Sequence, residues 1–440
     1  MRYSECIDYL NRLGNEVSVA KSGLDNIRKL LEALGNPQRL YPSVLIAGTN
    51  GKGSVAAFLS SILSSSGLRT GLYTSPHLIS IEERIAIDGR RITPEAFAKC
   101  VSRTVDLIRK LDFPCHPTFF ETVTSAAFLH FAEADVDIAV VETGMGGRTD
   151  STNILEPVLS VITPISIDHQ QYLGQTIEEI ALQKAGIIHR EGTVVSARQR
   201  PEVGAILEQE AARQALVLSY ANEAAAVVTD SRDGRYRFAF GGSRFEPALY
   251  GRHQVGNAVL AASAARLLGE MGYPITPAAL VEGVNGAFVP GRIQKVSESP
   301  EVYLDGAHND EALAKLAEFV AEHTRRPRSL VFGIMGDKQL SSSIDQLAQS
   351  FDKIYLTRPS SKRAADREQL LGYFPTGIWI ANPVEALNVA KDDSEAVVVA
   401  GSLYLVGEIL AFYCGRTLVQ GSPVPGSPRA RLESTGYRNR

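Results

Sequence analysis

Short apolar runs rich in β-branched residues alternate along the chain with segments of helical periodicity. In the first part the runs are SVLIAG, RTGLYT, DIAVVETG, VLSVITPIS and GTVVSA, which begin at residues 43, 69, 137, 158 and 192. The alternation returns near residue 301 with EVYLDGAHN, SLVFGIMGDK, KIYLTRP and AVVVAGSLYL. Such alternation is typical of a parallel sheet covered by helices, with ligands bound at the carboxyl ends of the strands. The pattern therefore predicts an α/β fold.

The alternation is interrupted between residues 224 and 272. The stretch AAVVTDSRDGRYRFAFGG, residues 225 to 242, has alternating apolar positions on both sides of Asp233 and Gly234. An Asp-Gly pair in that setting predicts a β-hairpin. The later stretch HQVGNAVLAASAARLLGEMG, residues 253 to 272, predicts a helix.

Chain length and a Pro-Gly break predict two domains. At 440 residues the chain exceeds what one hydrophobic core usually organises. Pro290 and Gly291 interrupt the pattern just before the second set of strands. We therefore predict a larger domain over residues 1–294 and a smaller one over residues 295–418. Residues 419–440 are rich in Gly, Pro, Ser and Arg and are expected to form a disordered tail.

Composition and charge exclude several classes of protein. Hydrophobic residues make up 44% of the chain and charged residues 21%, which excludes a wholly disordered protein. The formal net charge of −4 provides no basic field, so we expect no nucleic-acid partner. No apolar run reaches the length of a membrane span, and the first residues lack a secretory-signal pattern, so we expect no membrane association. The cysteines lack paired spacing and favour free thiols in the cytoplasm. They are Cys6, Cys100, Cys115 and Cys414.

The stretch VLIAGTNGKGSVAAFLSSIL, residues 44 to 63, joins an apolar run to a helical one through a glycine-rich turn. Its glycines are Gly48, Gly51 and Gly53. Glycines let a ligand approach the main chain, and the N–H groups at a helix start bind anions. Lys52 and Ser54 then complete a cradle for phosphate and metal. The pattern departs from a strict Walker motif, because Ile46 occupies the first glycine position and Gly53 separates Lys52 from Ser54. A glycine-rich turn without a ligand is the alternative.

Acidic residues follow two of the predicted strands. Glu142 ends the run DIAVV, where a strand-end acid can hold magnesium directly or through water. A capping or solvated glutamate is the alternative. Asp168 and His169 follow VLSVITPIS in the same way, although a lone histidine is more often structural than a metal ligand.

Lys184 lies on the apolar face of a predicted helix. In QTIEEIALQKAGII, Thr176 and Glu179 match a capping box, which begins the helix. One face of that helix consists of Ile177, Ile180, Ala181 and Lys184. Burial lowers a lysine pKa, and a neutral amine can capture carbon dioxide as a carbamate that bridges to magnesium. From periodicity alone, a lysine paired with a nearby acid or phosphate is the favoured interpretation.

In the second part, single residues suggest contacts with a nucleotide or a polar substrate. Asp305 and His308 follow a strand within LDGAHND, a loop that suits sugar hydroxyls but that a plain turn explains equally well. Arg292 lies beside the proposed linker and matches phosphate geometry, although linker arginines are usually solvated. Asn257 in RHQVGNA can bind a base through its amide, or can simply lie on a helix surface.

The motifs together resemble the folylpolyglutamate synthases and the bifunctional dihydrofolate synthases within the Mur ligase superfamily. The resemblance extends from about residue 1 to about residue 415. Its motifs are ALGNP, AGTNGKGS, LYTSPHL, ERI, ETGMGGRTDSTN, IDHQQYLG, QKAGI, GRHQVGNA, PGR, DGAHN and AGSLYL. It implies a large phosphate-loop ATPase-like domain with a parallel central sheet, joined to a smaller Rossmann-like α/β domain that ligates glutamate.

The resemblance also implies roles for individual residues. ATP phosphates would be bound by a loop comprising Thr49, Asn50, Gly51, Lys52, Gly53 and Ser54. Ser75 and Glu142 would hold one magnesium ion and His169 a second. Lys184 matches a position that is carbamylated in the family, which reverses the preference drawn from periodicity. ATP would be contacted from the distal side by Asn257, Arg292 and Asp305, and His308 would line the cleft where glutamate enters.

The pterin substrate is placed by the same resemblance. It would lie near the loop from Ser75 to Arg84 and near two further groups of residues. These groups are Phe120, Glu121 and Thr122, and Thr149, Asp150 and Ser151.

The implied reaction is ATP-dependent ligation of L-glutamate to a folate, and also to dihydropteroate in the bifunctional form, through an acyl phosphate. Two alternatives remain open at this point. A murein-precursor ligase would usually carry threonine where this chain has Gly53 and an additional N-terminal domain, whereas only about 45 residues precede the loop here. A nucleotide-dependent switch that binds guanine would need an N-K-x-D motif, which the sequence lacks. The resemblance further implies a cytoplasmic monomer.

Overall fold

Three β-sheets organise the part of the chain described by the computed structural model, which comprises residues 1–13, 23–341 and 343–415. The predicted tail, residues 419–440, lies outside the described residues. The first sheet has eight strands in the order β4-β3-β2-β5-β1-β6-β7-β8. These strands are β1 (Ser43–Ala47), β2 (Thr70–Tyr73), β3 (Ile85–Ile87), β4 (Arg90–Arg91), β5 (Ile138–Glu142), β6 (Leu159–Ile162), β7 (Thr193–Ser196) and β8 (Leu218–Tyr220).

The five apolar runs predicted as strands in the first part are confirmed as β1, β2, β5, β6 and β7. They pair in parallel, with β8 added in parallel beyond β7, while β3 and β4 extend the other edge in antiparallel fashion. Alternate residues of β1 pack into different clusters, because Val44 and Ile46 face one core and Leu45 and Ala47 face the other. Burial of both faces explains why these strands are continuous apolar runs.

Ten helices accompany this sheet and the small sheet beside it in the described residues. They are α1 (Tyr3–Arg12), α2 (Asp25–Ala33), α3 (Lys52–Ser65), α4 (Pro94–Lys110), α5 (Phe119–Glu133), α6 (Gln170–Leu173), α7 (Ile177–Ala185), α8 (Pro201–Arg213), α9 (His253–Glu270) and α10 (Pro277–Gly286). The helix α3 packs against α9 and α10, whereas α5 packs against α2 and α4. The capping box predicted for α7 is present, since Thr176 Oγ1 accepts from the Glu179 backbone N–H and Glu179 caps in return.

The predicted hairpin is confirmed as part of a small three-stranded antiparallel sheet in the order β11-β10-β9. Its strands are β9 (Val227–Asp230), β10 (Arg237–Phe240) and β11 (Ser243–Phe245). A 3₁₀ turn, Arg232–Gly234, lies in the connection between β9 and β10. Asp233 and Gly234 there adopt positive φ angles of 54° and 76°.

The third sheet has six strands in the order β12-β13-β17-β14-β15-β16, and all its neighbours are parallel except β12 and β13. The strands are β12 (Gln294–Glu298), β13 (Glu301–Leu304), β14 (Arg328–Phe332), β15 (Lys353–Leu356), β16 (Ile378–Trp379) and β17 (Ala396–Ala400). The associated helices are α11 (Asp310–His323), α12 (Ile344–Gln349), α13 (Arg367–Tyr373), α14 (Pro383–Asp392) and α15 (Leu403–Tyr413). The expectation of a large parallel α/β unit with a smaller Rossmann-like one is thereby confirmed.

The side chains of all four cysteines are free thiols. In the described ranges, no helix combines the length and the apolar character needed to cross a membrane.

Candidate active site

The turn between β1 and α3 is shaped by two glycines with positive φ. Gly48 has a φ of 147°, and Gly51, the N-cap of α3, has a φ of 89°. A Cβ atom at Gly48 would overlap the Thr163 side chain, and one at Gly51 would lie 2.5 Å from Asn257 Oδ1. The first N–H groups of α3 have no partners within the helix, which is the geometry that binds anions.

Hydrogen bonds from Thr49 and Asn50 hold the same turn against the segment after β6. The backbone N–H of Thr49 donates to the Pro164 carbonyl over 2.9 Å, and the Thr49 hydroxyl donates to the Ser166 carbonyl over 3.0 Å. Asn50 Nδ2 donates to Ser166 Oγ over 3.2 Å and to Glu311 Oε2 over 3.1 Å. Because Glu311 belongs to α11, Asn50 also ties the turn to the second part of the chain.

Lys52, Glu142 and Ser75 meet at the carboxyl edge of the eight-stranded sheet. The parallel register sets Glu142, the last residue of β5, beside Ile46 of β1. Glu142 is buried, and burial raises the pKa of its carboxyl group. Its Oε1 lies 4.0 Å from Lys52 Nζ, and its Oε2 accepts a hydrogen bond from the Ser75 backbone N–H over 3.1 Å. A cation and a buried carboxylate therefore lie side by side next to the glycine-rich turn.

Asp168 forms the centre of a charged cluster between the two large sheets. Its carboxylate pairs with Lys338 and lies 3.7 Å from His308 Nε2 and 3.9 Å from His169 Nε2. Burial raises the pKa of Asp168, but the His308 hydrogen bond and the neighbouring positive charges outweigh it and hold the pKa far below its usual range. His169 adopts a positive φ of 53°, and burial lowers its pKa to about 3, so its imidazole is neutral near pH 7.

Lys184 projects from α7 toward the glycine-rich turn. Only 3% of the residue is exposed, and its Nζ donates to the Gly48 carbonyl oxygen over 2.7 Å. Burial and, second, the charge of Lys52 lower the pKa of Lys184 to about 7. No ion pair with a carboxylate is found for Lys184 in the described part of the chain. The amine is therefore buried against a carbonyl, with a substantial neutral fraction at neutral pH.

Two cavities adjoin the glycine-rich turn: the main cavity, which contains Lys52, Glu142 and Lys184, and a second cavity on the opposite side. The second cavity is lined by Asn257 and Gln254 of α9, together with Asp305 and the loop that follows β13. Asn257 Nδ2 donates to Gln254 Oε1 over 2.9 Å, and Gln254 Nε2 is buried with no partner in the part of the chain that the structure describes. The Asp305 carboxylate accepts from the backbone N–H groups of Ile293 and Ala307, both over 2.8 Å, and so holds this loop in place.

Most of the residues singled out in the sequence line one or both of these cavities. The main cavity is lined by Thr49, Asn50, Gly51, Lys52, Gly53, Ser75, Phe120, Glu121, Glu142, Asp150, Ser151, His169, Lys184, Arg292 and His308. The second is lined by Asn50, Gly51, Ser54, Asn257, Arg292, Asp305 and His308. Residues from both halves of the sequence therefore converge on one cleft.

Three of the predicted substrate residues line neither cavity. Arg84 is buried, donates from Nε to His77 Nδ1 over 2.9 Å and stacks its guanidinium on the Phe119 ring at 5.1 Å. Thr122 is buried within α5, where its hydroxyl donates to the Thr118 carbonyl over 2.8 Å. Thr149 is exposed at the surface. None of the three therefore contributes to the wall of either cavity.

Several lining residues were not anticipated. Lys338 and Arg363 of the second part line the main cavity, as do Tyr404, Cys115 and Asn26. For Lys338 a signal existed, because GIMGDK is a glycine-containing turn after a predicted parallel strand. For Asn26 there was none, since it lies on the buried face of an ordinary amphipathic helix.

Two protein-family models match the chain. The model described as the Mur ligase middle domain matches residues 46–265. The model described as Mur ligase, glutamate ligase domain, matches residues 291–403. The two matched ranges contain the eight-stranded and six-stranded sheets, respectively, apart from short segments at their ends.

Individual relatives agree with these models. The chain is 36% identical over 405 residues to the dihydrofolate synthase/folylpolyglutamate synthase of Bacillus subtilis (strain 168), covering 88% of this chain and 94% of that protein. A Mycobacterium tuberculosis folylpolyglutamate synthase, solved in complex with ADP and AMPPCP, superposes with a TM-score of 0.86 at 33% identity, covering 93% of this chain and 99% of that one. Escherichia coli FolC in complex with DHPP and ADP superposes with a TM-score of 0.83 at 28% identity, covering 94% and 98%. The chain therefore belongs to the Mur ligase superfamily and, within it, to the family of folylpolyglutamate and dihydrofolate synthases.

Proposed function

We propose that this protein ligates L-glutamate to a folate with consumption of ATP, and that dihydropteroate is a second acceptor. The observation that supports this most directly is the meeting of the glycine-rich turn, Lys52 and Glu142 in a cleft that loops of the six-stranded sheet close. A carboxylate acceptor, a nucleotide and glutamate can then be held within one space. Dihydropteroate is included because the Bacillus subtilis relative bears both activities in its name.

The nucleotide is assigned to the turn and the second cavity. Backbone N–H groups at the start of α3, with Lys52 and Ser54, face the phosphates, and Thr49 and Asn50 fix the turn that presents them. Asn257, Arg292 and Asp305 contact the rest of the nucleotide from the second cavity. Of these, Asp305 acts mainly by holding its own loop, because both its oxygens already accept backbone hydrogen bonds.

The reaction takes place in two transfers. A carboxylate oxygen of the folate attacks the γ-phosphorus of ATP. The bond between that phosphorus and the bridging oxygen breaks, which releases ADP and forms an acyl phosphate. The glutamate amino group then attacks the acyl carbon, the C–O bond to phosphate breaks, and the amine loses a proton as the amide forms. Lys52 and the N–H groups of α3 stabilise negative charge during the first transfer. His308, which faces Asp168 across the cleft, is assigned to the place where glutamate enters.

The side chains around Glu142 fit a magnesium ion that accompanies the nucleotide. In the described residues, no three His, Cys, Asp or Glu side chains cluster closely enough to hold a metal ion alone. Magnesium at nucleotide sites takes one or two protein carboxylates together with phosphate oxygens and water. Glu142 supplies such a buried carboxylate, with Ser75 beside it and the neutral His169 assigned to a second ion. When bound, magnesium offsets charge on the phosphate oxygens.

Lys184 is proposed to become a carbamate. Its amine is buried and is bound to the Gly48 carbonyl rather than to an acid. A neutral amine can add to carbon dioxide with loss of one proton, which converts the buried amine into an anion beside the phosphate loop. Of the alternative partners considered from periodicity, an acid or a phosphate, no acid is bound to Lys184 in the described part of the chain.

The acceptor's ring system is assigned to the part of the main cavity lined by Phe120, Glu121, Asp150 and Ser151. The aromatic ring of Phe120 offers a face for stacking. Arg84, Thr122 and Thr149 are left out of direct contact. We also propose that the enzyme works as a monomer in the cytoplasm, as the family resemblance implies.

The proposal is tested by incubating the protein with ATP, Mg²⁺ and glutamate, with dihydropteroate and tetrahydrofolate supplied separately. We expect ADP and a glutamylated product only when an acceptor and glutamate are both present. Release of ADP without either co-substrate would contradict ligation. A product with only one acceptor would restrict the activity to that acceptor.

A further inference from the structure

Asn26 of α2 lines the main cavity and carries an unpaired hydrogen-bond acceptor. The residue is 1% exposed and lines that cavity. Its Nδ2 donates to the Cys115 carbonyl over 3.0 Å and lies 3.3 Å from Cys115 Sγ. Because a carbonyl oxygen only accepts, this bond fixes which end of the amide faces Cys115. Among the described residues, Asn26 Oδ1 is then left buried and without a partner.

No other buried side-chain atom without a partner belongs to the lining of this cavity, within the described residues. The nearby carboxylates already accept hydrogen bonds from this chain, Asp150 through both oxygens and Glu121 through one. Asp150 Oδ1 accepts from the backbone N–H and the hydroxyl of Thr152, and Oδ2 accepts from the Met145 N–H. Glu121 Oε2 accepts from the Thr118 N–H as part of the α5 capping box. Leaving an amide oxygen buried and unsatisfied is unfavourable, so it calls for a donor from a ligand.

The location of Asn26 indicates which part of a ligand supplies that donor. The reacting acid group must lie at the phosphate loop, next to Lys52, so the ring system occupies another part of the cavity. The helix α2 packs against α5 and against the 3₁₀ turn Ser151–Ile154, the elements that bear Phe120 and Ser151. Asn26 therefore lies on the side of the cavity assigned to the rings.

We propose that Asn26 Oδ1 accepts a hydrogen bond from the 2-amino group of the acceptor's 2-amino-4-oxo pteridine ring, and that it selects substrates bearing this donor. The 2-amino group is a two-hydrogen donor at the end of the ring system remote from the acid. The inference rests on the proposed function, because it names how that same site recognises its acceptor.

The test compares two acceptors and two substitutions. The acceptors are dihydropteroate and its analogue in which a methyl group replaces the 2-amino group. Wild-type enzyme should lose about tenfold to a hundredfold in kcat/KM with the analogue, mostly through KM. With dihydropteroate, Asn26→Leu should show a similar loss in kcat/KM relative to the wild-type enzyme. With the analogue, its kcat/KM should equal that of the wild-type enzyme. Gln38→Leu is the matched control, because Gln38 also has a buried, unpaired amide oxygen but lies outside the main cavity; it should keep the wild-type discrimination.

The outcomes separate this inference from the proposed function. Equal losses by Asn26→Leu with both acceptors, or no discrimination by the wild type, would overturn the role of Asn26 while leaving ligation intact. A wild-type enzyme that glutamylates no acceptor would overturn the proposed function itself. If Asn26→Leu fails to fold, Asn26→Asp keeps an acceptor oxygen and should retain the discrimination; its loss in a folded Asn26→Asp protein would also overturn the inference.

Discussion

The contacts of Lys52 leave its ammonium group available to a ligand. Its Nζ lies 3.4 Å from the Thr49 carbonyl oxygen and 4.0 Å from Glu142 Oε1, and both distances are long for strong polar contacts. The side chain is 17% exposed and points into the cleft. Phosphate oxygens can therefore replace these contacts with shorter, charge-assisted bonds. At the scale of the residue, the site combines one loosely held cation with one buried acid.

We expect Lys52→Met to reduce kcat for ligation by about a hundredfold to a thousandfold, because a preorganised charge on the transferring phosphoryl group is lost. Thermal unfolding should change little, since the lysine makes no short bond to any of the described residues. Phosphate release under saturating substrates measures the effect. Lys99→Met, which removes an exposed ion pair with Glu133, is the control and should retain full activity. Activity of Lys52→Met close to that of the wild type would exclude Lys52 from the reaction.

Lys184 should give protein stability a pH dependence of defined sign. Its pKa is about 7 in the folded chain, against an ordinary value of 10.5. Between these values the unfolded chain binds more protons at this residue, so the free energy of unfolding rises with pH. Denaturant unfolding of the wild type at pH 7, 8 and 9, in buffer free of carbon dioxide, should show this rise, and Lys184→Met should flatten it. Parallel profiles for the two proteins would show that the amine is not buried as a neutral base.

A separate measurement addresses the carbamate. We expect Lys184→Ala to lower ligation strongly while keeping the fold, and added bicarbonate or a short carboxylic acid to restore part of the activity by placing an anion in the gap. Initial rates with and without these additives provide the comparison. An alanine variant that is fully active without them would remove the carbamate from the mechanism.

At the scale of elements, the strand–turn–helix unit from β1 to α3 could be predicted because its signals are local. Buried parallel strands are continuous apolar runs, and the turn requires glycine. Thr176 and Glu179 likewise fix the start of α7 through neighbouring backbone groups. The two-residue strands β4 and β16 had no such signal, since they are defined by the strands beside them.

In the strand–turn–helix unit from β1 to α3, the effect of backbone strain can be separated from the effect on ligand binding. Gly51→Ala should weaken nucleotide binding by at least about tenfold, because the new Cβ meets Asn257 Oδ1 and the φ of 89° disfavours any side chain. Gly67→Ala is a matched control: Gly67 has a similar φ of 84°, but its Cβ would meet nothing within 4 Å. Calorimetric titration with ADP measures binding. Equal affinity in the two variants would mean that the turn does not hold the phosphates.

At the scale of the whole molecule, the two large sheets are joined by apolar and by polar contacts. Leu78 and Ile79, from the loop after β2, pack into the core cluster that contains Val406 of α15. On the other side of the cleft, Asn50 bonds to α11 and Asp168 pairs with Lys338. Sequence patterns identify the residues near each strand end, but not these pairings. They join positions more than a hundred residues apart, so no local spacing encodes them. Asn26 likewise has its partner, Cys115, 89 residues away.

The Asp168–Lys338 pair should govern how well the closed cleft excludes water. It is nearly buried and joins the loop after β6 to the loop after β14, so removing the charge of Lys338 leaves Asp168 buried with less compensation. We expect Lys338→Met to lower kcat and to raise the ratio of phosphate released to glutamate incorporated, because water then competes for the acyl phosphate. Radiolabelled glutamate and a phosphate assay in the same reaction give that ratio. Lys353→Met breaks an exposed ion pair with Asp393 within the second part and should keep the ratio at one. A variant at Lys338 that is slower yet still releases one phosphate per amide would show that the pair serves binding or chemistry rather than closure.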